Sequence, residues 1–173
     1  MKATQSFIQH SQKLLERDYL QKIQACLKIL PEADLWWRPN DRSNSVGNLL
    51  LHLAGNLNQW IVAGVGSGED HRRRDREFSA SEGKDTAVLL QELQQTVYQA
   101  TQALEALNTE SLNQEVTIQG IEVTVLGAIY HAVEHFSMHV GQIIYITKLR
   151  TDTDLNFVTI GGGGAVERGW CVS

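Results

Sequence analysis

The sequence predicts an all-α fold, a four-helix bundle carrying a small accessory β-hairpin, and three observations lead there. Apolar residues recur at intervals of three and four over four long stretches, the spacing that lines one face of a helix. Only two prolines, Pro31 and Pro39, interrupt the chain, leaving the rest free to be helical. Strand-like alternation occurs in one short segment alone, too little for a sheet core. With 173 residues, 42% of them apolar and 20% charged, the chain is expected to form one domain, 1–173, with a real core.

Helix one is expected from about Phe7 to Leu30, with Ile8, Leu15, Tyr19, Ile23, Leu27 and Leu30 on its inner face, and Pro31 ends it. The stretch Pro31 to Arg42 reads as a connection that Trp36 and Trp37 pin to the core. Ser43 or Asn44 is then a cap for helix two, whose apolar side holds Val46, Leu49, Leu50, Leu53, Leu57, Trp60 and Ile61. From Gly64 to Gly83 the composition changes to a glycine hinge followed by mixed charge, and a long exposed connection is expected. Arg72 to Arg74 with Arg76 are interleaved with Asp75 and Glu77, so a solvated loop is preferred to a nucleic-acid patch. Asp85 can cap helix three, with Leu90, Leu93, Val97, Ala100, Leu104 and Leu107 inward. Glu115 to Thr124 alternates about a Gln119-Gly120 pair and reads as the hairpin. Helix four runs from about Val125 to Arg150 with Ile129, Val133, Phe136, Val140, Ile143 and Ile144 inward, and Lys148 and Arg150 near the negative end of its dipole. After Thr151 the tail is expected to be irregular, with Gly161 to Gly164 its most flexible point.

Several function classes are excluded or disfavoured at this level. A net charge of −5 opposes broad attraction to nucleic acid or anionic lipid. No apolar run approaches the ~18 residues of a membrane span, and the first twenty residues lack a secretory pattern, so a cytoplasmic location is expected. Cys26 and Cys171 form no paired motif, which argues against a disulfide framework or a thiolate metal knuckle.

Chemistry concentrates in histidine. His131, His135 and His139 stand at i, i+4 and i+8 on helix four. Positions four apart differ by only ~40° around the axis, so two such imidazoles can share one ion, but the outer pair is about 12 Å apart and cannot join the same site. One adjacent pair must be chosen. On helix two His52 lies among leucines, where a buried imidazole needs partners for both ring nitrogens. Asn48, Asn56 and Gln59 give that helix a polar stripe, and His135, His139 and Gln142 give helix four a matching one. Facing polar stripes inside a bundle are how bundle-core metal sites are built. A lone buried histidine is more often a hydrogen-bonded core residue than a ligand, so the constellation rather than any single ring carries the metal reading.

The run His135-Phe-Ser-Met-His139-Val-Gly141-Gln142-Ile143, with His52 upstream and a Trp37-Arg38-Pro39 stretch before helix two, resembles the DinB/YfiT-like metalloenzyme superfamily. The resemblance implies a four-helix bundle of up-down-down-up order. It also implies a divalent metal held by the matching positions His52, His135 and His139, with His131 outside the motif and His135–His139 the chosen pair. All-nitrogen ligation suits zinc or nickel, with iron or manganese as alternatives. Relatives that transfer or isomerise low-molecular-weight thiols imply activation of such a thiol, or of water, in a thiol S-transferase-like reaction. The resemblance further implies a homodimer. Gln142 and Asn56 are the catalytic candidates, for orienting a ligand or the bound water, with ordinary bundle hydrogen bonds as the alternative. The competing expectation is a non-catalytic metal-binding or stress-related bundle protein.

Overall fold

The computed structural model describes residues 2–157, 159–160 and 166–168. Most of these residues are helical, with a small two-stranded antiparallel hairpin. Helix α1 (Lys2–Lys13) passes through a π-helical turn at Leu14–Tyr19 into α2 (Leu20–Ile29), forming one rod that begins five residues earlier than the apolar pattern suggests. Lys2 to Ser6 lie on the outside, where burial leaves no periodic trace. Leu30 takes an extended backbone ahead of Pro31, as a pre-proline residue prefers.

Helix α3 (Val46–Leu57) is capped by Ser45, one residue beyond the expected Ser43 or Asn44. Ser45 Oγ accepts from the Asn48 amide at 3.1 Å, and Asn48 Oδ1 accepts from the Ser45 amide at 3.1 Å, a reciprocal capping box. A second π-helical turn, Asn58–Ala63, extends α3 and carries Trp60 and Ile61 into the core. The chain then forms a short helix α4 (Arg74–Ser79) before α5 (Thr86–Glu105), whose cap is Asp85 as expected, its carboxylate accepting from Val88 N at 2.8 Å. Strands β1 (Glu115–Ile118) and β2 (Ile121–Thr124) pair antiparallel in the register centred on Gln119-Gly120. Both turn residues have positive φ, 56° and 76°, the two-residue geometry whose twist suits a hairpin. Thr124 caps the long helix α6 (Val125–Thr151), which ends where Asp152 turns left-handed. Two short paired strands follow, β3 (Thr159–Ile160) and β4 (Val166–Arg168), inside the tail expected to be irregular. Gly161 to Gly164 and Cys171 lie outside the described residues.

One hydrophobic core runs through the four long helical rods, with α3 packing on both α5 and α6, and α2 packing on α6. Inward positions match the apolar pattern closely. On α5, Leu89 replaces Leu90 as the buried member, while Leu90, and Leu107 just past the end of the helix, are half-buried. On α6, Ile129, Phe136, Val140 and Ile143 are buried, and Val133 and Ile144 sit at the margin. The two tryptophans of the connection are anchored as expected. Trp36 packs on Gly47 and donates to the Lys84 carbonyl at 3.2 Å, and Trp37 lies under the Arg150 guanidinium at 4.5 Å.

The segment from Gly64 to Gly83 is exposed over most of its length, as expected, but it is not detached from the helices. It folds back along α3, and its Arg72 and Glu77 side chains are 4% and 7% exposed. What holds it is the polar stripe of α3. Asn48 Nδ2 donates to the carbonyls of Glu77 (2.9 Å) and Ala80 (2.7 Å), and Gln59 Nε2 donates to Asp70 at 2.8 Å. Arg38 adds hydrogen bonds to the carbonyls of Phe78 and Ala80.

Candidate metal centre

Helix α3 presents His52 toward α6, where His135 and His139 stand one turn apart on the facing side. The three rings meet with centroids 4.5 to 4.9 Å from one another. Their nitrogens converge more closely: His135 Nε2 lies 3.0 Å from His52 Nε2 and 3.2 Å from His139 Nε2. One donor atom from each of the three falls within 4.8 Å of the others. His131 does not join them. Its ring packs on Trp60 at 4.0 Å and stands 5.6 Å from His135, in keeping with its place outside the motif.

The far side of each ring decides which nitrogen bears the proton. His52 Nδ1 is 2.8 Å from Glu77 Oε2 and 3.1 Å from Arg72 Nη2, and the shorter contact, to a carboxylate that only accepts, assigns the hydrogen to Nδ1. His139 Nδ1 is 2.8 Å from Gln142 Oε1 and donates in the same way. In the neutral rings both Nε2 atoms are therefore bare. His135 Nε2 can donate to only one of them, so at least one bare nitrogen at hydrogen-bond distance is left without a donor. The His135 Nδ1 atom, for its part, is buried without a partner among the described residues.

That donor set fits a cation. Nitrogens bonded at about 2.0–2.1 Å to one ion stand roughly 2.8–3.4 Å apart for angles from square to tetrahedral. The His135–His52 and His135–His139 separations fall in that interval, and the third pair of donor atoms lies within 4.8 Å. Electrostatics agree. Burial, followed by the neighbouring His139, His52, His131 and Arg72, lowers His135 to about 3, so the ring is neutral at pH 7. Burial likewise lowers His139, against the opposing hydrogen bond with Gln142 and with His52 adding to the effect. His131 is lowered by burial, with Glu134 opposing and Arg72 assisting.

Glu77 is the residue that the sequence pattern left among solvated charges. Burial raises its carboxyl, but hydrogen bonds from His52 and Arg72 and the attraction of the guanidinium outweigh that and hold it below its ordinary value. Arg72 grips it through Nε to Oε1 at 2.8 Å and Nη2 to Oε2 at 3.0 Å. Arg72 Nη1 donates to Gln59 Oε1 at 2.9 Å, and Gln119 at the hairpin turn donates to the same oxygen. The carboxylate, the histidine and the ion position thus form the arrangement in which an outer acceptor orients a metal-binding imidazole. No spacing motif joins Glu77 to His52. The one hint in the chain was that the polar stripe of α3 needed partners.

Of the two orienting candidates, Gln142 accepts from His139 Nδ1 at 2.8 Å, whereas the hydrogen bonds of the three histidines do not include Asn56. Phe78 closes one side of the site, its ring 4.7 Å from that of His52. Cavities of about 710 Å³, reaching Arg72 and Glu77, and about 640 Å³, reaching Gln142 and Met138, flank the centre. Both are lined by residues behind the ligands rather than by the three histidines.

A family profile described as "Protein of unknown function (DUF1572)" matches residues 2–164. The chain belongs to the DUF1572 family. Among curated proteins, none matches the sequence significantly. A conserved protein from Enterococcus faecalis has a similar structure, with a TM-score of 0.68 at 19% identity over 84% of this chain and 97% of that one. A DinB-like protein, YjoA, from Bacillus subtilis aligns with a TM-score of 0.60 at 18% identity, covering 83% of this DUF1572 chain and 91% of its own. The fold is DinB-like, as the histidine motif implied. No helix among the described residues is long and apolar enough to cross a membrane.

Proposed function

We propose that this DUF1572 protein is a divalent-metal-dependent enzyme in which His52, His135 and His139 hold the ion beside an exchangeable position. The observation that carries the reading is the convergence of three Nε2 atoms, two of them bare because Glu77 and Gln142 accept hydrogen bonds from the Nδ1–H groups. A cation with three imidazole ligands supplies Lewis acidity, lowering the pKa of a thiol or water at the remaining position toward neutrality. The chain's own residues orient and insulate. Glu77 and Gln142 fix two rings, Phe78 covers His52, and His135 stays neutral and ready to ligate.

In this reading zinc or nickel is the ion, with iron or manganese as alternatives, and the substrate is an electrophile that receives a low-molecular-weight thiol or water. The reading includes one cytoplasmic domain of up-down-down-up helix order, acting without nucleic acid or membrane. It also includes a homodimer, supported by the exposed apolar residues Leu126, Tyr130, Met138, Tyr145 and Leu149 along α6. A non-catalytic metal-binding role, stress-related or sequestering, is the second reading. It is favoured by the burial of His52 and His139, 4% and 7% exposed, and by cavities that reach the outer partners instead of the rings.

Metal analysis of the purified protein tests both. Close to one ion per chain is expected, lost in His52→Ala and in His139→Ala, and retention of metal in His52→Ala would overturn the ligand set. A cobalt-substituted protein whose visible spectrum changes on adding a small thiol supports the enzyme. An unresponsive spectrum, with no turnover across thiols and electrophiles, supports the second reading.

A further inference from the structure

The Glu77 carboxylate reaches His52 across position 55, which has no side chain. Gly55 lies three residues beyond His52 on α3, and a Cβ built there would overlap Glu77 Oε1, standing 3.0 Å from Glu77 Cδ and 3.3 Å from Arg72 Nε. A glycine inside a helix ordinarily costs about 1 kcal/mol relative to alanine, and nothing about the turn of α3 requires one here. The space it leaves is filled by the fork between a carboxylate and a guanidinium. That fork places one Glu77 oxygen at His52 Nδ1 and the other under Arg72.

We propose that Gly55, Glu77 and Arg72 form a positioning unit that sets the Nδ1–H tautomer of His52 and so presents its Nε2 lone pair to the ion. The inference rests on the metal reading for its consequence, but the tautomer exists without metal. Each member has a distinct part. Arg72 aims both carboxylate oxygens, Glu77 accepts the hydrogen bond from His52 Nδ1–H, and Gly55 admits the pair to the helix surface. Asn48 holds the backbone of the arm at Glu77 and Ala80, so the carboxylate arrives from a fixed direction. Loss of an outer acceptor of this kind typically costs about 10–100-fold in metal affinity.

The test uses the full chain and zinc as the probe, with affinity read by chelator competition and the His52 tautomer read by imidazole nitrogen NMR of the metal-free protein. Wild type is expected to show a protonated Nδ1 and a bare Nε2 at His52. Gly55→Ala and Glu77→Ala are each expected to mix the tautomers and weaken zinc about 10–100-fold. The double variant is expected to be no weaker than Glu77→Ala alone, because the added methyl acts only through the carboxylate. Glu77→Gln, which keeps an acceptor, is expected to retain the tautomer and recover most of the affinity. Should Glu77→Ala fail to fold, Gly55→Ala and Glu77→Gln decide. A wild-type tautomer and affinity in Gly55→Ala, or full additivity in the double variant, would overturn the proposal. A wild type that binds no zinc yet shows the Nδ1–H tautomer, lost in Gly55→Ala, would sink the metal reading and leave the positioning unit standing.

Discussion

Two connections between the long helices contrast sharply: the hairpin of residues 115–124 and the arm of residues 70–80. The hairpin is built from neighbours. Its register follows from the two-residue turn at Gln119-Gly120, and every strand pair lies within a span of ten residues. The arm is charged along most of its length, yet it carries a buried ion pair, Arg72–Glu77, at the site. Its position depends on Arg38, Asn48 and Gln59, each eleven or more residues from the group it binds. A run of charge is a solvated loop only where no buried polar stripe waits for it, and α3 provides such a stripe.

The largest effect should come from breaking the arm at its ion pair. Arg72→Ala leaves the Glu77 carboxylate buried without its guanidinium, and chemical denaturation of the metal-free protein should show a loss of about 3–5 kcal/mol. A loss under 1 kcal/mol would mean that the arm is held by its backbone hydrogen bonds alone.

Acid sharpens the contrast further. His135, His139 and His131 have folded pKa values below 6.5, so on acidification the unfolded chain takes up protons that the folded one refuses. Stability should therefore fall as pH drops below about 6.5, continuing toward the His135 value of about 3. Glu77, also lowered, adds its own loss as pH falls below its ordinary value of 4.5 and through its folded one. Bound zinc should displace the histidine limb to lower pH, since protons then compete with the ion. A denaturation midpoint flat from pH 7 to 5 in the metal-free protein would contradict the burial assigned to these rings.

The smallest effect belongs to the hairpin. Gly120→Ala places a side chain at φ 76° and should cost about 1 kcal/mol by thermal unfolding, with zinc affinity unchanged. A change in zinc affinity there would show that the Gln119 contact with Gln59 reaches the metal centre after all.

Much of the molecule was legible in advance because its determinants are local. The four helical stretches, the Asp85 cap and the hairpin follow from periodicity and turn chemistry within a few residues. The π-helical turns at Leu14–Tyr19 and Asn58–Ala63 were not legible, since an extra residue in a turn leaves the apolar spacing nearly intact. Of the site, the i, i+4 spacing showed that His135 and His139 share a face, and the resemblance selected them over His131.

By itself the sequence determined the helices, the hairpin and a pair of histidines on one helical face, because hydrogen-bonded turns repeat within the reach of a few residues. Tertiary structure alone decided that Glu77 and Arg72 leave solvent, that Gly55 makes room for them and that His52 turns its bare nitrogen toward α6. Those outcomes depend on groups from separate elements meeting in one dry place, where every donor has to find an acceptor, and no local pattern encodes that requirement.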